Sequence, residues 1–437
     1  MTSMLTLALR ARNANRARPR YQICLIHPFD PRGEKVGGLE TYIRDFITFH
    51  PEDTDLLFIG VDSRGDLTLG EIHKLTFRGR SFDFFPILHY SDLQAREAAR
   101  SLRASLTGQF FAALLRYLGP ISRLIRSRRC TIDLRRVEYS WLPVILRLPF
   151  VQMLHGEGVP KLQMDSLLRK YWFVHHAGEW FAAATSAKFL CVNPFITERL
   201  QKRYPHHKDK IDTLWTWVNT GIFQSEPLPR DLAPFRIVYA GRLDEFKNPS
   251  LMFSTIGLLR ERLQGAVEFH YVGTSDPDRF AEFAAIADIT VRHGFKDAAG
   301  MAATLANVHA GILTSEFEGM PRFVLETLGV GRPVVAVHLP QLESVIRDGE
   351  SGFLVRRSGS TEHLAEMLAD RFIELRAAIG AGEMDHARIA AAISDFTPSK
   401  QLARVYRYHR EIQNALEMTT TPPTHRGEAS EHSSAHK

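Results

Sequence analysis

The chain has 437 residues, 44% hydrophobic and 24% charged, which are ordinary globular values. That length is more than one core usually serves, so two domains are expected, and no run is long enough to read as a membrane-spanning helix. The formal charge of +6 suits phosphate-bearing ligands or an anionic membrane surface, and no basic stripe interleaved with aromatics argues for nucleic acid.

Residues 1–20 carry Arg10, Arg12, Arg16, Arg18 and Arg20 and no acid. The apolar Met4–Leu9 precedes these arginines, the reverse of a signal peptide, so a disordered basic leader is expected, with a membrane-surface contact as the alternative. Tyr21–His27 reads as the first strand, and it ends in a loop holding Pro28, Pro31, Gly33, Gly37 and Gly38. Leu39–Phe49 then shows helical spacing through Leu39, Tyr42, Ile43, Phe46 and Ile47. Strand, glycine loop, helix is how α/β folds bring backbone N–H groups against a phosphate or sugar, although a glycine pair before a helix is also an ordinary tight turn.

Leu56–Val61 reads as a second strand. Ser91–Arg129 reads as helical, with Phe110, Phe111, Leu114, Leu115, Leu118, Ile121, Leu124 and Ile125 at helical spacing among Arg116, Arg123, Arg126, Arg128 and Arg129. Either this is an amphipathic helix packed on a sheet, or it is a surface that docks on anionic lipid and admits a lipid-linked substrate. Pro149–Leu154 is a strand that delivers His155-Gly156 at its C-terminal end, where ligands sit in open parallel sheets. Phe189–Val192 is another, followed by Asn193-Pro194 as N-cap and first helical residue, and Ile211–Val218 is the last of the first half. The three cysteines, Cys24, Cys130 and Cys191, match no metal spacing and read as buried thiols in a reducing, cytoplasmic setting.

Gln224–Pro234 has three prolines in a polar stretch and reads as a linker. Phe235–Ala240 restarts the α/β rhythm and runs into a loop with Arg242 and Lys247, ahead of a Ser250–Leu263 helix. Two cations at a strand end can clamp a diphosphate. Val267–Gly273, Ile289–His293, Ala310–Thr314, Val334–Val337 and Gly352–Val355 are the remaining strands, Ser399–Leu416 is a closing helix, and the chain from Thr419 is expected to be disordered. The expected organisation is a leader (1–20), an N-terminal α/β domain (21–225), a linker (226–234), a C-terminal α/β domain (235–398), the closing helix (399–418) and a tail (419–437).

One stretch organises the rest: the loop and helix between Ala310–Thr314 and Val334–Val337. Pro321 suits the first helical position, and Gly329, Gly331 and Pro333 suit the stop. The N–H groups of about residues 320–323 favour an anion. Glu318 sits ahead of the helix and Glu326 between one and two turns inside it, where carboxylates would accept hydrogen bonds from sugar hydroxyls. A sugar nucleotide satisfies both; acids placed for the helix dipole are the plainer account.

Together these pieces resemble the retaining, nucleotide-sugar-dependent glycosyltransferases of family 4, with the GT-B architecture of two facing Rossmann-like domains. The match rests on Gly37-Gly-Leu-Glu-Thr41, His155-Gly156, Gly241-Arg-Leu-Asp-Glu-Phe-Lys247 and Glu318-Gly-Met-Pro-Arg-Phe-Val-Leu-Glu326, the last being the Glu-x7-Glu signature; Gly331-Arg-Pro-Val-Val335 also fits. The resemblance implies an α/β fold with parallel sheets and donor residues Gly38, Arg242, Lys247, Glu318, Met320, Pro321 and Glu326. Glu326 would grip the ribose, Arg242 and Lys247 would neutralise the diphosphate, and Glu318 and His155 would lie near the transferred sugar. It implies retention, no metal and no cofactor besides the nucleotide-diphosphate sugar donor. The acceptor would be a glycan or lipid-linked hydroxyl in surface polysaccharide synthesis, at a cytoplasmic site peripheral to the inner face of the membrane. The family's Asn-Gly-Val-Asp stretch is replaced by Thr216-Trp-Val-Asn219. A GT-B sugar-nucleotide epimerase and a catalytically silent sugar-nucleotide-binding protein are the competing readings.

Overall fold

The computed structural model describes residues 21–33, 38–91, 105–155 and 172–420. The expected leader, Gly37, Gly156, the start of the cationic helical stretch and the tail from residue 421 lie outside them.

The first half forms an eight-stranded sheet in the order β3-β4-β2-β1-β5-β6-β7-β8. Its strands are β1 (Tyr21–Ile26), β2 (Thr54–Asp62), β3 (His73–Phe77), β4 (Arg80–His89), β5 (Thr131–Leu134), β6 (Phe150–Leu154), β7 (Lys188–Cys191) and β8 (Ile211–Thr213). Its helices are α1 (Gly38–Thr48), α2 (Leu106–Arg116), α3 (Leu118–Arg128), α4 (Trp141–Ile145), α5 (Trp172–Thr185) and α6 (Pro194–Arg203). The second half forms a six-stranded sheet in the order β11-β10-β9-β12-β13-β14. It holds β9 (Phe235–Ala240), α7 (Pro249–Arg262), β10 (Val267–Val272), β11 (Thr290–Gly294), α8 (Ala298–Ala306), β12 (Ala310–Leu313), α9 (Arg322–Gly329), β13 (Val334–Val337), β14 (Gly352–Val355), α10 (Thr361–Gly380) and α11 (His386–Ala391), and α12 (Pro398–Thr420) closes the described chain.

Both sheets are buried on both faces, as their near-continuous apolar strands require. In β1, Ile23 and Leu25 enter one core with Tyr42, Ile43 and Phe46 of α1, while Cys24 and Ile26 enter the other with Phe110, Leu114, Ile121 and Ile125 of α2 and α3. A single larger core serves the second sheet. All three cysteines are free and buried, as expected.

Four strands differ from the sequence reading. β3 and β4 form an antiparallel hairpin that the pattern did not announce. β3 alternates half-buried and exposed positions at the sheet edge, and β4 contains Pro86, which argues against a strand until a register shift beside it is allowed for. The strand expected over Ile211–Val218 stops at Thr213, because the following residues turn to meet the second half: the Val218 N–H donates to Phe396 O at 2.9 Å. Thr131–Leu134, four residues long, was not expected at all.

The proline-rich linker is pinned rather than loose. The Glu226 N–H donates to Val330 O, and the buried Arg332 guanidinium donates to the carbonyls of Glu226, Pro227, Leu305, Ala306, Val330 and Gly331. α12 returns to the first half, where Leu402, Val405, Tyr406 and Tyr408 join the core beside α1 and the Tyr406 hydroxyl donates to Phe46 O at 2.6 Å. It remains helical to Thr420, two residues into the expected tail.

Candidate functional site

In each sheet the strand order reverses once, and the crevice at such a switch point is where open α/β sheets take ligands. In the second sheet that point lies between β9 and β12. Beyond β9 the chain turns at Gly241, with φ of 148°. Gly273, just after β10, approaches so closely that a Cβ there would stand 2.4 Å from Gly241 O. Two strand ends are thereby brought together without side chains between them.

The loops after β9 and β12 are locked to one another. Phe246 stacks on Phe317 with centroids 4.7 Å apart, the Glu316 N–H donates to Phe246 O at 2.8 Å, and Thr314 Oγ1 donates to Lys247 O at 2.8 Å. That arrangement sets Lys247 against Glu318 in an ion pair, and Glu318 also accepts from Ser315 Oγ at 3.0 Å. Arg242 is largely exposed and pairs with Asp244 at 2.8 Å. Asn248 then caps α7 through its side chain, with Pro249 behind it.

α9 begins at Arg322, with Pro321 as its cap rather than its first residue, because Pro321 keeps extended ψ of 112°. Its first hydrogen bond runs from Val324 N–H to Pro321 O at 3.1 Å, so the amides of Arg322 and Phe323 precede it. Pro321 has no N–H to add, which narrows the anion site expected over residues 320–323. Glu326, one turn along, faces Arg322 at 3.5 Å. Burial raises the Glu326 carboxyl above its ordinary range, Arg322 pulls it back, and the nearby Asp45 raises it further.

Asp45 comes from α1 in the first half. It is buried, accepts from Trp217 Nε1 at 3.0 Å and lies 3.7 Å from Arg78 Nη1. Burial raises its carboxyl, and Arg322 opposes this most strongly. Arg322 Nη1 donates to Trp217 O at 3.0 Å, and a Cβ on Gly38 would sit 3.7 Å from Arg322 Cδ. One guanidinium therefore stands between a carboxylate of each half, under the N-terminal end of α1.

These residues line a single cleft of about 550 Å³ between the two sheets, within the usual range for ligand sites. Of the residues expected from sequence, Gly38, Arg242, Lys247, Glu318, Met320, Pro321 and Glu326 all border it. His155 does not. Its ring meets Tyr42 edge-on at 4.9 Å, its Nε2 is buried with no hydrogen-bond partner, and its carbonyl oxygen lies 3.2 Å from where a Gly319 Cβ would be. Burial, helped by Arg135, holds the imidazole well below the ordinary histidine range and so neutral. Arg135 is itself buried between Asp133 at 2.6 Å and the Tyr42 ring at 4.2 Å.

Sequence reasoning missed Asp45 and Arg78 as cleft residues, and it gave Arg322 no charged partner. Asp45 lies one turn from Thr41 on α1, and both border the cleft, which is a signal that could have been read. Arg78 sits at the turn of the unforeseen β3–β4 hairpin, with φ of 47°. The far end of the cleft is bordered by Gly294, Phe295, Lys296 and Asp297, and Asp297 caps α8 by accepting from Gly300 N–H at 2.8 Å. Across the cleft, Asn193 Nδ2 donates to Gly319 O at 2.6 Å and also caps α6. Among the described residues no group of three His, Cys, Asp or Glu is placed to hold a metal ion.

Comparison with known proteins places these observations. Residues 234–372 match the family model described as "Glycosyl transferases group 1". Two curated relatives, each named D-inositol 3-phosphate glycosyltransferase, are 26% identical. The one from Paenarthrobacter aurescens (strain TC1) aligns over 230 residues, 48% of this chain and 55% of its own, and the one from Arthrobacter sp. (strain FB24) over 192, or 41% and 46%. The chain thus spans about half the length of the curated relatives it matches. Sucrose-phosphate synthase from Thermosynechococcus elongatus superposes with a TM-score of 0.64 at 17% identity, covering 89% of this chain and 98% of that one. The Anabaena protein HepE in complex with UDP and glucose gives 0.61 at 14%, covering 91% and 100%. The lipopolysaccharide outer core galactosyltransferase WaaB gives 0.57 at 17%, covering 91% and 99%. The fold is GT-B, two facing α/β units with the cleft between them.

Proposed function

We propose that this protein is a retaining glycosyltransferase that moves a sugar from a nucleoside-diphosphate sugar to a hydroxyl of a glycan or lipid-linked acceptor. The observation that carries the reading is the shared cleft: the N-terminal end of α9, Arg242, Lys247, Glu318 and Glu326 converge at the switch point of the second sheet, and α1 faces them from the first. The match of residues 234–372 to group 1 glycosyltransferases supports the donor half of the reading. The UDP and glucose held by HepE, and the sugar-transfer names of WaaB and the curated relatives, make a UDP-sugar the first donor to try.

In this reading Glu326 accepts hydrogen bonds from the ribose hydroxyls, displacing Arg322 toward Asp45. The diphosphate draws Arg242 and Lys247 away from Asp244 and Glu318 and meets the first amides of α9. Those donors take up negative charge as the anomeric C–O bond to phosphate breaks, and each is worth about 3 kcal/mol in such a site. Charge on the leaving group is then met by side chains and amides without a divalent ion. The acceptor oxygen attacks the same face, its proton passes to the leaving phosphate oxygen, and the anomeric configuration is kept. Glu318, freed from Lys247, lies where it can bind a hydroxyl of the transferred sugar. His155, neutral and behind Tyr42, supplies packing and a backbone carbonyl against Gly319 rather than proton transfer.

The test is donor turnover with chelator present: UDP-, GDP- and ADP-sugars are offered and release of the nucleoside diphosphate is followed, with the product's anomeric configuration read by proton NMR. Release from one donor class with retained configuration is expected. Interconversion of the donor sugar without release would replace this reading with an epimerase.

A further inference from the structure

Thirteen large hydrophobic residues are exposed among the described residues, and six of them belong to three neighbouring helices of the first half. They are Phe111 and Leu115 on α2, Val144 and Ile145 on α4, and Phe173 and Trp180 on α5. The elements touch: Phe111 packs on Trp141 of α4 with centroids 5.0 Å apart, and α4 contacts α5. Phe111 and Leu115 are one turn apart, as are Phe173, the exposed Ala177 and Trp180, so each helix presents a stripe rather than a stray side chain. A patch of this kind on a polar surface marks an interaction site.

Its charge says with what. Over residues 105–155 the exposed charges are Arg116, Arg123, Arg126, Arg129 and Arg147, and no acid is exposed. Asp133 is buried against Arg135 and Glu138 is half-buried. Glu179 of α5 is buried and paired with Arg203 at 3.0 Å. Arg126 is tied to this face through the Leu146 carbonyl beside α4. Apolar side chains with exposed arginines and no exposed acid over residues 105–155, and an exposed tryptophan on α5, suit a surface that is anionic outside and apolar beneath. A protein partner would have to supply acids around an apolar centre; an anionic bilayer has that layering everywhere.

We infer that the joint face of α2, α4 and α5 is where this protein lies on an anionic lipid bilayer, with the six apolar side chains entering the interface and the arginines meeting headgroup phosphates. The binding stands on this surface alone; its use, admitting a lipid-linked acceptor to the cleft, rests on the transferase reading. The N-terminal end of α2 lies on the cleft-facing side of the sheet: Arg136, just after β5, donates to Thr107 Oγ1 at 3.1 Å. That end of α2 is therefore beside the strand ends that open toward the cleft.

The experiment is co-sedimentation of the full chain with phosphatidylcholine vesicles, with and without phosphatidylglycerol, at physiological salt. Leu115→Glu/Ile145→Glu and Arg116→Glu/Arg123→Glu are compared with wild type, and nucleotide affinity and circular dichroism confirm that each variant is folded. Binding that needs phosphatidylglycerol and falls at least about tenfold in both double variants is expected. Three results would overturn the inference: no binding to the anionic vesicles, binding that survives both variants and so belongs to the arginines of residues 1–20, or a dimer seen by light scattering that Leu115→Glu/Ile145→Glu dissolves. Nucleotide affinity is read in the same samples, so loss of the donor site and loss of the membrane face are separate outcomes.

Discussion

At the scale of single residues, the cleft is a set of paired charges, and in the proposed reading an arriving nucleotide-sugar donor exchanges those partners. Glu326 pairs with Arg322 and has its carboxyl raised by burial, so its ionisation costs the empty protein something. The sign follows: the folded state holds that proton to higher pH than the unfolded chain, and stability falls as pH rises through the raised value. Glu326→Gln should therefore leave the melting temperature of the free protein intact at neutral pH while weakening nucleotide binding by about tenfold or more, the worth of a hydrogen bond to a charged group. Calorimetry and a thermal melt on the same variant check both halves. His155 gives the opposite dependence, because burial lowers it from the ordinary 6.5. The unfolded chain takes up a proton that the folded one refuses, so stability is lost as pH falls below that value, and His155→Gln should lose less between about pH 7 and pH 5. The Glu-x7-Glu spacing and the strand-end cations made Glu318, Glu326, Arg242 and Lys247 legible in the sequence as residues of one cleft, and all four border it. Asp45 and the pairing of Arg322 were not, because both depend on a partner in the other half of the chain, and local periodicity carries no such information.

At the scale of elements, strand–loop–helix units set the site and were mostly readable. Asn193, Asn248 and Asp297 each cap a helix that follows a strand-end loop, and of these Asn193, with Pro194 behind it, was read as a cap from the sequence. The β3–β4 hairpin was not readable, since an edge strand shows little apolar alternation and Pro86 argues against its partner. The linker's composition marks it as a connector, and its tethering by the Arg332 guanidinium is a long-range contact that composition does not carry. That fully buried guanidinium donates to six backbone carbonyls, with burial lowering its pKa to about 10, so it remains charged at neutral pH. Arg332→Leu would remove the guanidinium donors from buried carbonyls, those of Glu226, Pro227 and Ala306 among them, and should cost about 3 kcal/mol or more of stability. Urea unfolding measures it, and an unchanged midpoint would show that water or the backbone replaces the guanidinium.

At the scale of the molecule, two sheets face each other and the chain crosses between them twice, once through the proline stretch and once into α12. The second crossing joins residues near 400 to those near 46, a pairing that no local pattern encodes. Gly319 is a close contact between the halves: a Cβ there would lie 3.0 Å from Val192 Cγ2 and 3.2 Å from His155 O. Gly319→Val should hold the halves apart, lowering turnover by about tenfold while nucleotide affinity stays within about twofold. Equal losses in both would assign Gly319 to the donor site itself. The central claim is that the second half binds a nucleoside diphosphate through Glu326 and the strand-end cations. It is tested most directly by calorimetric titration of UDP, GDP and ADP, in chelator, into wild type and Glu326→Ala. The account predicts that one nucleotide binds wild type with a dissociation constant on the order of micromolar and that the variant loses this binding. Folded wild-type protein that binds none of the three would contradict it.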